Sequence, residues 1–397
     1  MGQPTYSHFA LKDSMARTPQ RAYALVRDVL TRCLPAVRRQ VEELKSEFGV
    51  ADIQPWDYWF YLEKLRVKKF SLDQSQVSQY LKLENVRDGA FEAAWRLYGV
   101  HFERVDVSVP NPDVSAFKVL DEDGSVIGIL YIDPYARTGK QSGAWMTRWR
   151  SQHGLGRDGR IPLVVNCLNF MKPNPGEVCL ISWDDATTVF HEFGHALHGL
   201  LSWVKYPSQS GTSVVRDYVE FPSQIMEHWL SCPETLQDYA THYKTGESMP
   251  KELRDALKAA RTFDKPFDTL MYLLSTVLDL EVHMSYDGTD LEAFQAEVLR
   301  GLDPPKEVGP RHRLPHFSHI FSSGYSSCYY SYLWADVLAA DGFSAFPEDS
   351  PFDLGVADRL LKNVLSVGDS IDPNEGYRQF RGRDPDPQAL LIERGLL

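Results

Sequence analysis

The stretch "TTVFHEFGHALHGLL", Thr187 to Leu201, decides how this chain is read. His191, His195 and His198 recur in it at near-helical spacing around Glu192. It encodes either a metal site or an amphipathic helix that merely carries histidines. Just upstream, Ser182 and Asp185 form an [ST]-x-x-[DE] helix start, and Ala186, Val189, Phe190, Phe193, Leu197 and Leu200 supply an apolar stripe. The spacing therefore predicts a helix over about 184–201 with "HEFGH" in its middle. Residues four apart share one face with β-carbons about 6 Å apart, so both imidazoles can reach one ion at roughly 2.1 Å. Glu192 lies about 100° further round, beside such an ion rather than on it. His198 stands seven residues from His191, about 10 Å along the axis, too far to share a small ion. It is expected to pack or to support the site from behind.

A catalytic zinc set needs a third protein ligand and an open position for water. The next helical segment, "RDYVEFPSQIMEHWL" from Arg216 to Leu230, offers Asp217, Glu220 and Glu227. Glu220 leads, because Pro222 is tolerated in a first helical turn and Gln224 and Glu227 continue its face. Spacing alone equally allows Glu220 to be an exposed helix-start carboxylate stabilised by the macrodipole. On the residues alone, all three carboxylates stay open.

Composition narrows the partners. Of 397 residues 43% are hydrophobic, enough for a large core in one domain or two. Acidic residues outnumber basic ones 54 to 42, a net charge of -12 and the wrong sign for a phosphate-binding surface. Nucleic acid is excluded as the expected partner. The five cysteines are odd in number, scattered and without a CxxC pair, which suits reduced thiols in a cytoplasmic protein. "MGQPTYSHFALKDSMAR" lacks a basic region followed by an apolar run, and no segment is apolar for long enough to span a bilayer. A soluble cytoplasmic monomer is expected, with no membrane association.

Along the chain, residues 17–98 carry helical three- and four-residue spacing. Two β-rich runs then flank Asp123-Gly124, which supplies positive φ in a tight hairpin, and 161–170 and 177–182 read as further strands. From Asp184 onward the pattern is helical again. The expected fold is mainly α with a small antiparallel or mixed β-sheet. It divides into a helical region over 1–101 and a catalytic domain over 102–397, the sheet falling at about 102–182. Near the C-terminal end Tyr325, Tyr329 and Tyr332 fall at i, i+4 and i+7, one helix face, with Tyr330 elsewhere and Gly324 giving a mobile approach. An aromatic core stripe would show the same spacing.

Three blocks, "FHEFGHALHGLL", "SGTSVVRDYVEFPSQIMEHW" and "GYSSCYYSYLWADVLAADGF", resemble in that order the signature blocks of the thimet oligopeptidase family of zinc metallopeptidases. Similar wording at "PWDYWFYLEKLR", "NVRDGAFEAAWRLYGV", "SGAWMT" and "FRGRDPDPQALLIERGL" extends the likeness over nearly the whole chain. The resemblance implies a gluzincin-type zincin domain forming one wall of a deep channel, with His191, His195 and Glu220 holding one zinc ion and Glu192 catalytic. It implies that residues 319–332 form a flexible loop and helix start facing the zinc. Tyr332, Tyr329 and His319 would then serve catalysis, and Tyr325 and Gly324 the substrate. Phe221 and "FSHIFSSGY" look more like peptidyl-dipeptidases (dipeptidyl carboxypeptidases), which release dipeptides from short peptides, than like the endo-acting oligopeptidases. Ser323-Gly324 replaces the family's Gly-Gly, and the chain looks like the C-terminal catalytic portion of longer members. A zinc- and peptide-binding fragment without turnover is the reading from another class.

Overall fold

The computed structural model describes residues 2–155 and 160–397. Helices dominate it. The first run comprises α1 (Tyr6–Leu11), α2 (Pro19–Phe48), α3 (Tyr58–Phe70), α4 (Gln74–Val77) and α5 (Leu83–Tyr98). The sheet follows, from β1 (His101–Val105), β2 (Ser115–Leu120) and β3 (Val126–Tyr135) to β4 (Trp145–Arg150) and β5 (Leu163–Phe170). Next come α6 (Trp183–Leu201), α7 (Arg216–Val219), α8 (Phe221–Leu230), α9 (Pro233–Tyr239), α10 (Lys251–Ala260), α11 (Lys265–Met284) and α12 (Leu291–Leu302). The last run holds α13 (Ser318–Ser322), α14 (Ser331–Phe343), α15 (Leu354–Leu360), α16 (Pro373–Arg381) and α17 (Gln388–Glu393). Among the described residues no helix is long and apolar enough to cross a membrane.

The fold is mainly helical with one small mixed sheet, as its periodicities predict. Strand order is β1-β2-β3-β5-β4, with β3 and β5 parallel and the other neighbours antiparallel. The β2–β3 hairpin forms at Asp123-Gly124, where Gly124 takes φ 83 and Leu120 faces Val126 across the turn. The third expected strand is β5. The fourth, 177–182, is not a strand: Leu180 makes one isolated bridge to Lys82, and its partner segment turns into α5 immediately afterwards, so no ladder can extend. Two edge strands, β1 and β4, carry little apolar alternation and were not anticipated.

Alternation along β5 sorts its side chains between two faces. Val164 and Leu168 join Val119 and Leu130 on the face that packs against α6, while Val165 and Cys167 join Ala116 and Tyr131 on the other. The larger core runs from this sheet through α5, α6 and α8. A second core lies between α2 and α11, where Val26 and Val37 share a cluster with Leu273 and Leu278. Helix α14 borders both, giving Leu338 and Ala339 to the first and Leu333 and Val337 to the second. All five cysteines are free and buried.

The start of α6 is fixed locally. Ser182 Oγ accepts from the Asp185 amide at 3.0 Å, and the Asp185 carboxylate accepts from the Ser182 amide at 3.1 Å. This reciprocal box satisfies two of the helix's unpaired donors and sets the rotational phase of every residue after it. The helix is thus anchored on the sheet with one face turned to α8.

Candidate metal centre

On that face His191 and His195 stand one turn apart, their ring centroids 5.0 Å from each other and nearly perpendicular. Glu220 lies at the junction between α7 and α8, and its Oε2 is 3.0 Å from His195 Nε2 and 3.3 Å from His191 Nε2. One ligand atom from each of the three falls within 4.8 Å of the others, the group among the described residues with that property. Ligands about 2.0–2.1 Å from a tetrahedral ion sit about 3.3 Å from one another, so the donor spacing fits a small cation. The donor chemistry, two imidazoles and a carboxylate, fits zinc equally well. Burial opposes the charge on Glu220, yet the imidazoles, His195 foremost, hold its carboxyl well below the usual range.

Two of the three donors are held from behind, while His195 Nδ1 has no hydrogen-bond partner among the described residues. His191 Nδ1 donates to Glu227 Oε1 at 2.6 Å, which fixes the tautomer and leaves Nε2 free to face Glu220. Ser223 Oγ is 3.2 Å from Glu220 Oε2, and the Tyr325 hydroxyl donates to Glu220 Oε1 at 2.5 Å. Of the three carboxylates the sequence left open, Glu227 thus supports His191 from the far side of its ring. Asp217 is fully buried and turned away, accepting from the amides of Met15 and Ala16 and from the Tyr330 hydroxyl at 2.7 Å.

Glu192 is buried beside the group, and its Oε2 has no hydrogen-bond partner among the described residues. Burial pushes its carboxyl above the usual carboxylate range, with the neighbouring imidazoles pulling the other way. His198 is fully buried outside the group, and burial drags its pKa down to about 3, so it is a neutral packed ring.

The tyrosines gather at the site, but not as a helix face. Helix α14 begins only at Ser331, and Tyr325 and Tyr329 lie in turns before it, because Ser327 adopts φ 59, which a continuous helix cannot contain. The rings nonetheless meet: Tyr325 stacks on Tyr332 at 5.1 Å and Tyr329 stands edge-on to Tyr332 at 5.6 Å. Burial raises all three phenols, Tyr329 to about 12, so they remain proton donors. His319 packs against Tyr329 at 5.4 Å with its pKa lowered by burial. Gly324 takes φ 81, and a Cβ there would come 3.3 Å from Arg216, whose guanidinium lies 4.7 Å from the Tyr325 ring centroid.

Residues 1–396 match the family model described as peptidase family M3. The chain belongs to that family. It is 38% identical over 411 residues to dipeptidyl carboxypeptidase of Escherichia coli (strain K12), covering 100% of this chain and 59% of that protein. To oligopeptidase A of the same organism it is 38% identical over 410 residues, covering 100% and 60%. Organellar oligopeptidase A of Arabidopsis thaliana is 35% identical over 421 residues, with 100% and 53% covered. The chain therefore spans a little over half the length of these M3 relatives.

Sequence reasoning passed over Gly194, at the centre of the motif. A Cβ there would lie 2.5 Å from the Pro222 carbonyl oxygen and 2.6 Å from Ser223 Cα, so glycine is what lets α8 approach α6. A glycine inside a strong helical pattern is itself a signal of close packing. For Gly194→Ala, overpacking of about 1–3 kcal/mol outweighs a helix-propensity gain of about 1 kcal/mol. The variant should unfold at lower denaturant than wild type and, when loaded with zinc, yield it to a chelator sooner, as urea titration and chelator competition would measure.

Proposed function

We propose that this chain is a zinc-dependent peptidase module that cleaves short peptides, with release of C-terminal dipeptides as the favoured mode. The observation that carries the proposal is the convergence of His191, His195 and Glu220 beside a buried Glu192 whose Oε2 has no partner among the described residues. Membership of peptidase family M3 supports it, and so does the similarity to dipeptidyl carboxypeptidase.

His191 Nε2, His195 Nε2 and a Glu220 oxygen would hold the ion. Zinc there supplies Lewis acidity, polarising a water and the scissile carbonyl. Glu192 is the base: its raised pKa suits a group that takes a proton from water on one Oε and delivers it to the leaving amine. Glu227 keeps His191 in the tautomer that offers Nε2. The Tyr332 hydroxyl, kept protonated by burial, donates to the carbonyl oxygen as charge gathers there, with Tyr329 beside it. His319, neutral, completes the wall next to Tyr329, and Gly324 and Tyr325 border the substrate path. No covalent acyl intermediate is required.

Equal identity to oligopeptidase A favours internal cleavage as the second reading. A free-acid peptide and its C-terminally amidated twin separate the two by mass analysis of products. Dipeptides from the free acid alone support the first, and equal cleavage of both supports the second. Stoichiometric zinc with no turnover of either peptide would instead favour a metal- and peptide-binding module.

Glu192→Gln should retain zinc and lose nearly all hydrolysis, because ligation survives while the base does not; near wild-type turnover would remove Glu192 from that role. Glu220→Ala should purify without metal, and an equimolar zinc content would contradict its assignment. For Tyr332→Phe, kcat should fall by roughly 10²-fold with little change in KM. A rise in KM alone would make the residue a substrate contact.

A further inference from the structure

The tyrosine turn between α13 and α14 takes its shape from a distant helix. The amides of Ser327 and Tyr329 both donate to one carboxylate, Asp279 in α11, at 2.7 and 2.8 Å, across 48 and 50 residues of sequence. Asp279 is fully buried in a helix otherwise lined by Leu273, Leu274, Val277, Leu278 and Leu280. One turn on, His283 Nδ1 lies 2.9 Å from Asp279 Oδ1 and 2.8 Å from the Asp279 carbonyl oxygen. The outer side of that imidazole is covered by Tyr6, 5.2 Å away, and Phe321, 6.3 Å away.

A buried carboxylate in an apolar helix is costly unless donors surround it. Here its two amide donors belong to the residues on either side of Cys328, and Ser327 is the one at φ 59. The Ser327 hydroxyl also donates to Ser7 Oγ at 2.6 Å, tying the turn to α1. Tyr325, whose hydroxyl reaches Glu220, lies two residues before Ser327, and Tyr332 lies three residues after Tyr329. Whatever fixes the amides at 327 and 329 therefore fixes the backbone that carries Tyr325 and Tyr329, whose rings meet that of Tyr332 at the start of α14.

We propose that Asp279, backed by His283, is a positioning residue for the reaction: its carboxylate holds the backbone of the tyrosine turn and so sets the phenol of Tyr325 against Glu220 and that of Tyr329 beside Tyr332. The role rests on the peptidase reading above, but the clamp itself can be measured without turnover. In Asp279→Asn one oxygen still accepts, while the amide group that replaces the other meets a backbone N–H it cannot bond.

The experiment uses the full chain loaded with zinc and has two arms. Hydrogen exchange followed by mass spectrometry should be faster over residues 318–334 in Asp279→Asn and unchanged over 183–201 and 221–230. Peptide hydrolysis should show kcat reduced about tenfold or more, with KM within twofold and zinc content unaltered. A purely structural role would lower the melting temperature and leave kcat per folded molecule at the wild-type value, and unchanged exchange over 318–334 would overturn the clamp outright. If the wild-type chain shows no turnover, the peptidase reading fails while the exchange arm still decides the clamp. His283→Gln, which leaves the carboxylate in place, is the milder second variant. It should accelerate exchange over the same residues to a smaller degree, and no acceleration would count against the proposal should Asp279→Asn not fold.

Discussion

The distance between α6 and α8 governs everything at the site. Two imidazoles one turn apart on a helix are a local matter, but the third donor must come from another element, and its reach is set by how closely that element can pack. At Gly194 the two helices touch backbone to side-chain-free backbone, with the Pro222 carbonyl occupying the space a Cβ would need. Around that contact Phe190, Phe193 and Leu197 share a core with Phe221, Ile225 and Met226, so apolar burial presses the helices together while glycine sets the limit. Glu220, immediately before α8, is thereby delivered to His191 and His195.

Four carboxylates lie buried in this region, and their compensation differs in a way that sorts their roles. Glu220 faces two imidazoles and takes the Tyr325 hydroxyl. Asp217 accepts two amides and a phenol, and Asp279 two amides and an imidazole. A buried charge without such donors costs several kcal/mol; the imidazoles hold the Glu220 carboxyl well below the usual range, whereas burial raises those of Asp217 and Asp279 against the donors around them. The Oε2 of Glu192 has no partner among the described residues, and burial raises its pKa. Of the four it is the one with a carboxylate oxygen that no described group holds, which suits the general base proposed above.

Local patterns were legible in the sequence, and long-range ones were not. The helix start at Ser182, the histidine pair and the Gly124 hairpin each follow from residues within a few positions of one another, and the structure contains all three. The third donor was ambiguous because Asp217, Glu220 and Glu227 sit on adjoining turns, and what separates them is the partner each meets. For Asp217 that partner is an amide 202 residues away. The 177–182 segment had strand-like composition, but among the described residues it pairs only at the single bridge from Leu180 to Lys82. The tyrosine spacing suggested a helix, and a carboxylate 48 residues upstream overrode it. The resemblance to known metallopeptidases, which gave 319–332 as a loop leading into a helix, described that segment better than its own periodicity did.

The three phenols are not equivalent, because they are held by elements of different rigidity. Tyr332 is in α14, which borders both cores, and its carbonyl accepts from Gln224 Nε2 of α8 at 3.2 Å. The helix that follows Glu220 is therefore joined directly to the helix that carries Tyr332. Tyr325 and Tyr329 depend instead on a turn whose backbone amides are held by Asp279 of α11 and whose Ser327 hydroxyl is tied to Ser7 of α1. A donor that must meet developing charge without reorganising belongs on the stiffer support, which is consistent with the role proposed above for Tyr332. Tyr325, bonded to Glu220 from the softer turn, instead couples the position of the turn to that carboxylate, so that movement of one is felt at the other.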